Sequence, residues 1–278
     1  MPWGAPLSSV CHPILWKSDH ITPLNLLTVK KTKHDEVRRQ RRPKAGYEGA
    51  TALLQEAIGL DPQFSTAYAT LARCHVHAGF HGWGASAREM ISKAEECARQ
   101  GIALDDQDPF AHVALGWVYI FNTEPGRAVN ELNRALELSP NLSIAHGYLS
   151  LAFAFLGRSE EALAAADRAN RGSPRDPERY IWYVGRWNAH FVAEQYEECV
   201  RAAEQVVLLQ PNYYGGHCGL AMALPYLERI EEAKEAARRA RELMPRLTLK
   251  RAARNPIFVR EADVARMLEG WRQAGMAE

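Results

Sequence analysis

Prolines able to end a helix recur along this chain at a near-constant interval. Pro140 and Pro174 stand 34 residues apart, as do Pro211 and Pro245, while Pro174 and Pro211 are 37 apart. The 78 residues from Pro62 to Pro140 hold two such intervals and ten extra residues. An interval of 34 accommodates two helices of about four turns each with their connections. A proline cannot continue a helix, so its recurrence marks where each second helix stops.

Residue size agrees with the interval. Counting from Pro109, the first helix presents His112, Leu115, Gly116 and Tyr119, and the second Ala128, Leu132 and Ala135 before Pro140. The next unit repeats this as His146, Leu149, Ser150 and Phe153, then Ala162, Ala166 and Ala169. The last gives His217, Leu220, Ala221 and Leu224, then Ala233, Ala237 and Ala240. Small residues are needed wherever two helix axes cross closely, and large ones fill the space beside them. Two units depart from the pattern. The unit from Ser65 carries an insertion over 80–86 with Asp106 in place of the final proline, and the unit from Arg179 has three extra residues. In the latter, Tyr183, Trp187 and His190 are placed on the packing side. An earlier half-unit, 47–62, supplies a second helix through Ala50, Leu54 and Ala57.

These units resemble tetratricopeptide repeats (TPRs), and the resemblance covers residues 45–246. It implies an all-α TPR superhelical solenoid of antiparallel helix pairs, about five repeats plus a half repeat over 45–247. Residues 248–278 then form a C-terminal capping helix, drawn over 260–274 with Val264, Met267, Leu268 and Trp271 on one face. A solenoid needs such a cap to cover its last apolar face.

The resemblance also implies where binding occurs. The family's ligand-facing positions on each first helix fall on Phe110, Val113, Trp117, Ile120 and Phe121, then on Ile144, Leu151 and Phe155. Further along they fall on Ile181, Val184, Asn188 and Phe191, and on Met222 and Tyr226. The set is apolar and lacks the basic residues with which chaperone-binding TPRs clamp a terminal carboxylate. A contiguous apolar strip does not stay bare in water. The expected occupant is a protein or peptide partner, a neighbouring domain, or a second copy of the chain as a homodimer; the alternative is that part of the strip packs against the next repeat.

Asn255-Pro256 followed by 264–275, with phrases such as 194–198 and 156–162, is similar to the C-terminal TPR region of bacterial class III adenylate/guanylate cyclases of the TolB-like type. The similarity implies a sensory or scaffolding module and reaches no catalytic domain. The alternative is a cyclase whose catalytic part lies outside this chain.

Other chemistry is poorly supported. No nucleophile elbow, phosphate loop or dinucleotide fingerprint occurs, so no catalytic residue and no cofactor is expected. Cys74, His75, His77 and His81 crowd together, but with Gly79 ending the helix and no carboxylate beside them they read as packing residues, not metal ligands. The Glu pairs 160–161, 197–198 and 231–232 read as helix starts. Five scattered cysteines, with Cys97, Cys199 and Cys218 at packing positions, fit a reducing cytoplasm. A net charge of +1 gives no pull toward nucleic acid or membrane. Residues 1–44, with basic residues from Lys30 to Lys44, read as an irregular leader, with a nucleic-acid-binding arm as the weaker alternative.

Overall fold

The computed structural model describes residues 42–81, 83 and 86–277. Most of the leader, Cys11 included, and parts of the insertion lie outside the described residues. Among those described, the chain is all-α, of the TPR solenoid class. The helices are α1 (Arg42–Leu60), α2 (Ser65–His81), α3 (Ala87–Leu104), α4 (Pro109–Phe121), α5 (Pro125–Leu138), α6 (Ser143–Phe155) and α7 (Ser159–Gly172). They continue as α8 (Arg179–Val192), α9 (Tyr196–Leu209), α10 (Tyr214–Ala223), α11 (Ile230–Leu243), α12 (Leu249–Arg254) and α13 (Glu261–Gln273). None of these helices is long and apolar enough to cross a membrane.

Contacts divide the chain into two compact units, with the boundary inside α4 between Val118 and Tyr119. In the first unit α2 packs on α1 and α3. Gly101 faces the Ala111 methyl, and Ser65 and Thr66 both donate hydrogen bonds to the Asp108 carboxylate at 2.9 and 2.8 Å. The helix α2 runs two residues beyond Gly79, the expected stop, because Gly79 keeps an ordinary helical conformation and packs against Met90 and Ala87.

In the second unit α6 packs on α5, α7 and α8, α8 on α7 and α9, and α10 on α9 and α11. The alanines of α7 and α11 explain the close approach: Ala162, Ala166, Ala169, Ala233 and Ala240 are wholly buried. Acidic pairs open α7, α9 and α11, where unpaired helix N–H groups favour negative charge. Each turn inside a helix pair contains one left-handed residue: Thr123, Gly157, Glu194 and Glu228. Only one of the four is the glycine that such a conformation favours.

The irregular unit adopts a register in which Trp182 is the largest fully buried side chain, 1 % exposed. Trp187 is buried, while Tyr183 and His190 are half-buried. The α10 helix stops at Ala223 and tightens into a 3-10 turn over Leu224–Leu227, where Pro225 removes a backbone donor.

The recurring histidines are structural staples. His112, His146 and His217 each direct Nε2 at the carbonyl of the residue six before, in Asp106, Pro140 and Pro211, at 3.2, 3.0 and 3.1 Å. A carbonyl only accepts, so each ring donates from Nε2. Burial pushes His146 and His217 below the ordinary value of 6.5, and Arg168 and Arg239 act in the same direction. The folded chain therefore favours neutral rings. Their contribution is complete above pH 6.5 and drains away as pH falls through that value toward the lower folded values. The melting temperature is expected to fall from pH 7 to pH 5.5, and less steeply in His146→Phe. Equal slopes by calorimetry would remove this histidine from the account.

Candidate functional site

Many of the ligand-facing residues are buried, each within its own unit. In the first unit, Val113 is wholly buried, Phe110 is half-buried, and the buried Trp117 receives the edge of His77 at 4.4 Å. In the second unit, Ile120 is buried and Phe121 half-buried at the end of α4. On α6 and α8, Ile144, Leu151, Phe155, Ile181, Val184, Asn188 and Phe191 are all buried. Met222 is buried and Tyr226 half-buried at the end of the last repeat.

Two things cover the strip in the second unit. The first is the neighbouring repeat. The Trp182 indole lies over Gly147, where an added methyl would collide with the ring. The second cover is the chain's own tail, which does more than close the end of the array. After α11 the chain forms α12, a short helix absent from the sequence-based reading. Thr248 caps it through its hydroxyl. Residues 255–260 then run as an irregular strap toward α6 and α8, and α13 returns to α10 and α11. The excursion closes on itself, since Leu249 N–H donates to the Ala277 carbonyl at 2.8 Å.

The strap enters between two ligand-facing aromatics. Phe258, 2 % exposed, stacks on Phe191 at 5.8 Å and makes a T-shaped pair with Phe155 at 6.0 Å. Val259 N–H donates to the Phe155 carbonyl at 2.9 Å. Arg260 donates to the Val192 carbonyl at 3.3 Å and to the wholly buried carboxylate of Asp263 at 2.5 Å. Arg266 also donates to Asp263 and pairs with Glu194. A buried carboxylate is tolerable only with such partners. Gly157, left-handed, lies against the Arg260 guanidinium, so a side chain there would meet both backbone strain and a clash.

The returning helix uses the same row. Trp271 Nε1 donates to the Cys218 carbonyl at 3.1 Å, and Gly270 is packed against the Met222 carbonyl. The Tyr226 hydroxyl donates to the Arg266 carbonyl at 2.7 Å, its ring stacked on Tyr196 at 4.5 Å. Burial pushes the Tyr226 phenol up to about 12. It is a structural donor without acid–base use near neutrality. On α13, Met267 and Trp271 are buried while Val264 and Leu268 are half-buried.

Among the described residues no group of three or more His, Cys, Asp or Glu side chains is placed to hold a metal ion. His75 instead lies 3.3 Å from the Tyr47 hydroxyl, and burial pushes its pKa down. Burial pushes the Cys199 and Cys218 thiols far up and Cys97 to about 11, which suppresses the reactive thiolate. Sequence reasoning missed Trp182, Phe258, Arg260 and Asp263. The apolar triplet Ile257-Phe258-Val259 after Asn255-Pro256 was the available signal for the strap.

With this geometry in hand, the comparisons with known proteins agree on the fold. Residues 111–142 match the tetratricopeptide repeat family. The crystal structure of PilW, a type IV pilus biogenesis factor, aligns with 76 % of this chain and 89 % of its own at 15 % identity and a TM-score of 0.54. Pseudomonas aeruginosa pilF covers 78 % and 90 % at 18 % identity and 0.52. The APC/C hetero-tetramer Cut9-Hcn1 matches 80 % of this chain and 44 % of that one at 13 % identity and 0.61. A search of curated proteins returned no match. The chain has the tetratricopeptide-repeat fold.

Proposed function

We propose that this protein is a non-catalytic binding module that takes a protein or peptide partner through the apolar row of its first helices. The observation that carries this reading is the row itself. Phe155, Phe191, Met222 and Tyr226, on three successive repeats, already hold a peptide segment, the chain's own tail. A surface that seats an irregular strap and a helix in this way has the chemistry a partner segment needs. The similarity of the tail and the repeat phrases to cyclase-linked TPR regions favours a regulatory role beside a nucleotide cyclase in the cytoplasm. Incubation with ATP or GTP and Mg or Mn is expected to yield no cyclic nucleotide.

The test is affinity capture by the full chain and by Phe121→Glu, a half-buried position where a charge is tolerated best. Equal helicity by circular dichroism is required of both. A partner held by the first and lost by the second supports binding along the row. Equal retention by both moves the site elsewhere.

A further inference from the structure

The strap and α13 are held by different means. The helix is fixed by the buried Met267 and Trp271, by the Trp271 bond to Cys218, and by the Tyr226 bond to its backbone. On the other side of the strap, the start of α12 is tied to Ala277. Between these anchors the strap buries one ring, Phe258, half-buries Pro256 and Ile257, and adds one backbone bond from Val259 and one arginine. The Val259 side chain is 56 % exposed. A segment with so few buried contacts between fixed ends opens locally at a lower cost than the array it lies on. Asp263 keeps Arg266 as a partner if Arg260 leaves, so opening strands no buried charge.

We propose that the slot between Phe155 and Phe191 is a docking site for a partner segment bearing an aromatic residue and, two positions on, an arginine. Residues 255–260 are the built-in occupant that this segment displaces. The chemistry is set by the slot. Its walls are two aromatic rings, one nearly parallel to the occupant ring and one nearly perpendicular to it, which suits a flat ring. The Phe155 carbonyl asks for a backbone donor one residue later. The Val192 carbonyl and the Asp263 carboxylate ask for a guanidinium after that, above a glycine that leaves it room. The proposal deepens the binding-module reading and rests on it.

The probe is a fluorescent synthetic peptide with the sequence of residues 253–262, titrated into the full chain and followed by anisotropy. In the wild-type chain the strap competes, so apparent affinity is lowered by the closed fraction. Phe258→Ala empties the slot and is expected to bind the peptide at least about ten-fold more tightly than wild type, as loss of that competition requires. A peptide with alanine in place of its phenylalanine is expected to bind neither chain. If Phe258→Ala does not fold, Val259→Pro carries the comparison, because it removes the backbone donor and keeps the ring. Equal affinity for wild type and variant, or no binding to a folded variant, overturns the proposal. Dimerisation of the wild-type chain that Phe258→Ala abolishes also overturns it, by assigning the slot to a second copy's strap. A partner captured equally by wild type and Phe258→Ala, with no peptide binding, sinks this proposal and leaves the module reading standing.

Discussion

Trp182→Ala is expected to destabilise the second unit by about 3–5 kcal/mol, the usual cost of deleting a buried large aromatic side chain. The indole is 1 % exposed and fills the space above Gly147, so its loss leaves a cavity between α6 and α8 that neither helix can close. For a unit of this size that corresponds to a fall of roughly 10 °C in melting temperature. Its Nε1 has no partner among the protein atoms, so Trp182→Phe forfeits packing and no hydrogen bond and should cost much less. Gly147→Ala probes the same contact from the other side, at about 1–3 kcal/mol for overpacking. The two alanine changes together should cost less than their sum, since the new methyl then enters the space the indole vacated. Strict additivity in a double-mutant cycle, or a Trp182→Ala melt within a degree or two of wild type, would disprove the contact's importance.

Ending the chain at Leu247 should have a larger effect. It removes the buried Leu249, Phe258, Met267 and Trp271, each contributing about 1.5–3 kcal/mol. It also uncovers Phe155, Phe191, Met222 and Tyr226 along one row. The truncated chain is expected to self-associate or to bind a hydrophobic dye strongly, since an apolar patch of this extent does not remain bare. A truncated chain that is monomeric by light scattering, dye-silent and as stable as the full chain would show that the tail is dispensable.

These two predictions rest on features of different visibility. The helix pairs could be read from the chain because proline spacing and the alternation of large and small residues are local signals that repeat. Ala162, Ala166, Ala233 and Ala240 lie buried where that alternation puts them. The left-handed turn residues were less visible, because only Gly157 of the four carries the expected residue type. Trp182 was missed because three extra residues shift the register of its unit. Its partner is a glycine that shows nothing of the ring above it. The strap was missed for another reason. Its apolar triplet is too short for any periodicity, and its contacts lie far upstream in sequence. Asp263 stands in the first turn of α13, a place where an acid is ordinarily exposed. Only the fold supplies the two arginines that make its burial possible.

The distance in sequence between Phe258 and Phe155 also bears on how the protein is made. Each helix pair closes on contacts within a few dozen residues and can form as it leaves the ribosome. The tail cannot, because its resting place is assembled from three earlier repeats and its own residues emerge after them. During synthesis there is therefore an interval when the array is folded and its inner row is still vacant. Any chaperone or co-translational client with a suitable aromatic residue meets an open site in that interval, before Phe258 and Trp271 arrive to contest it.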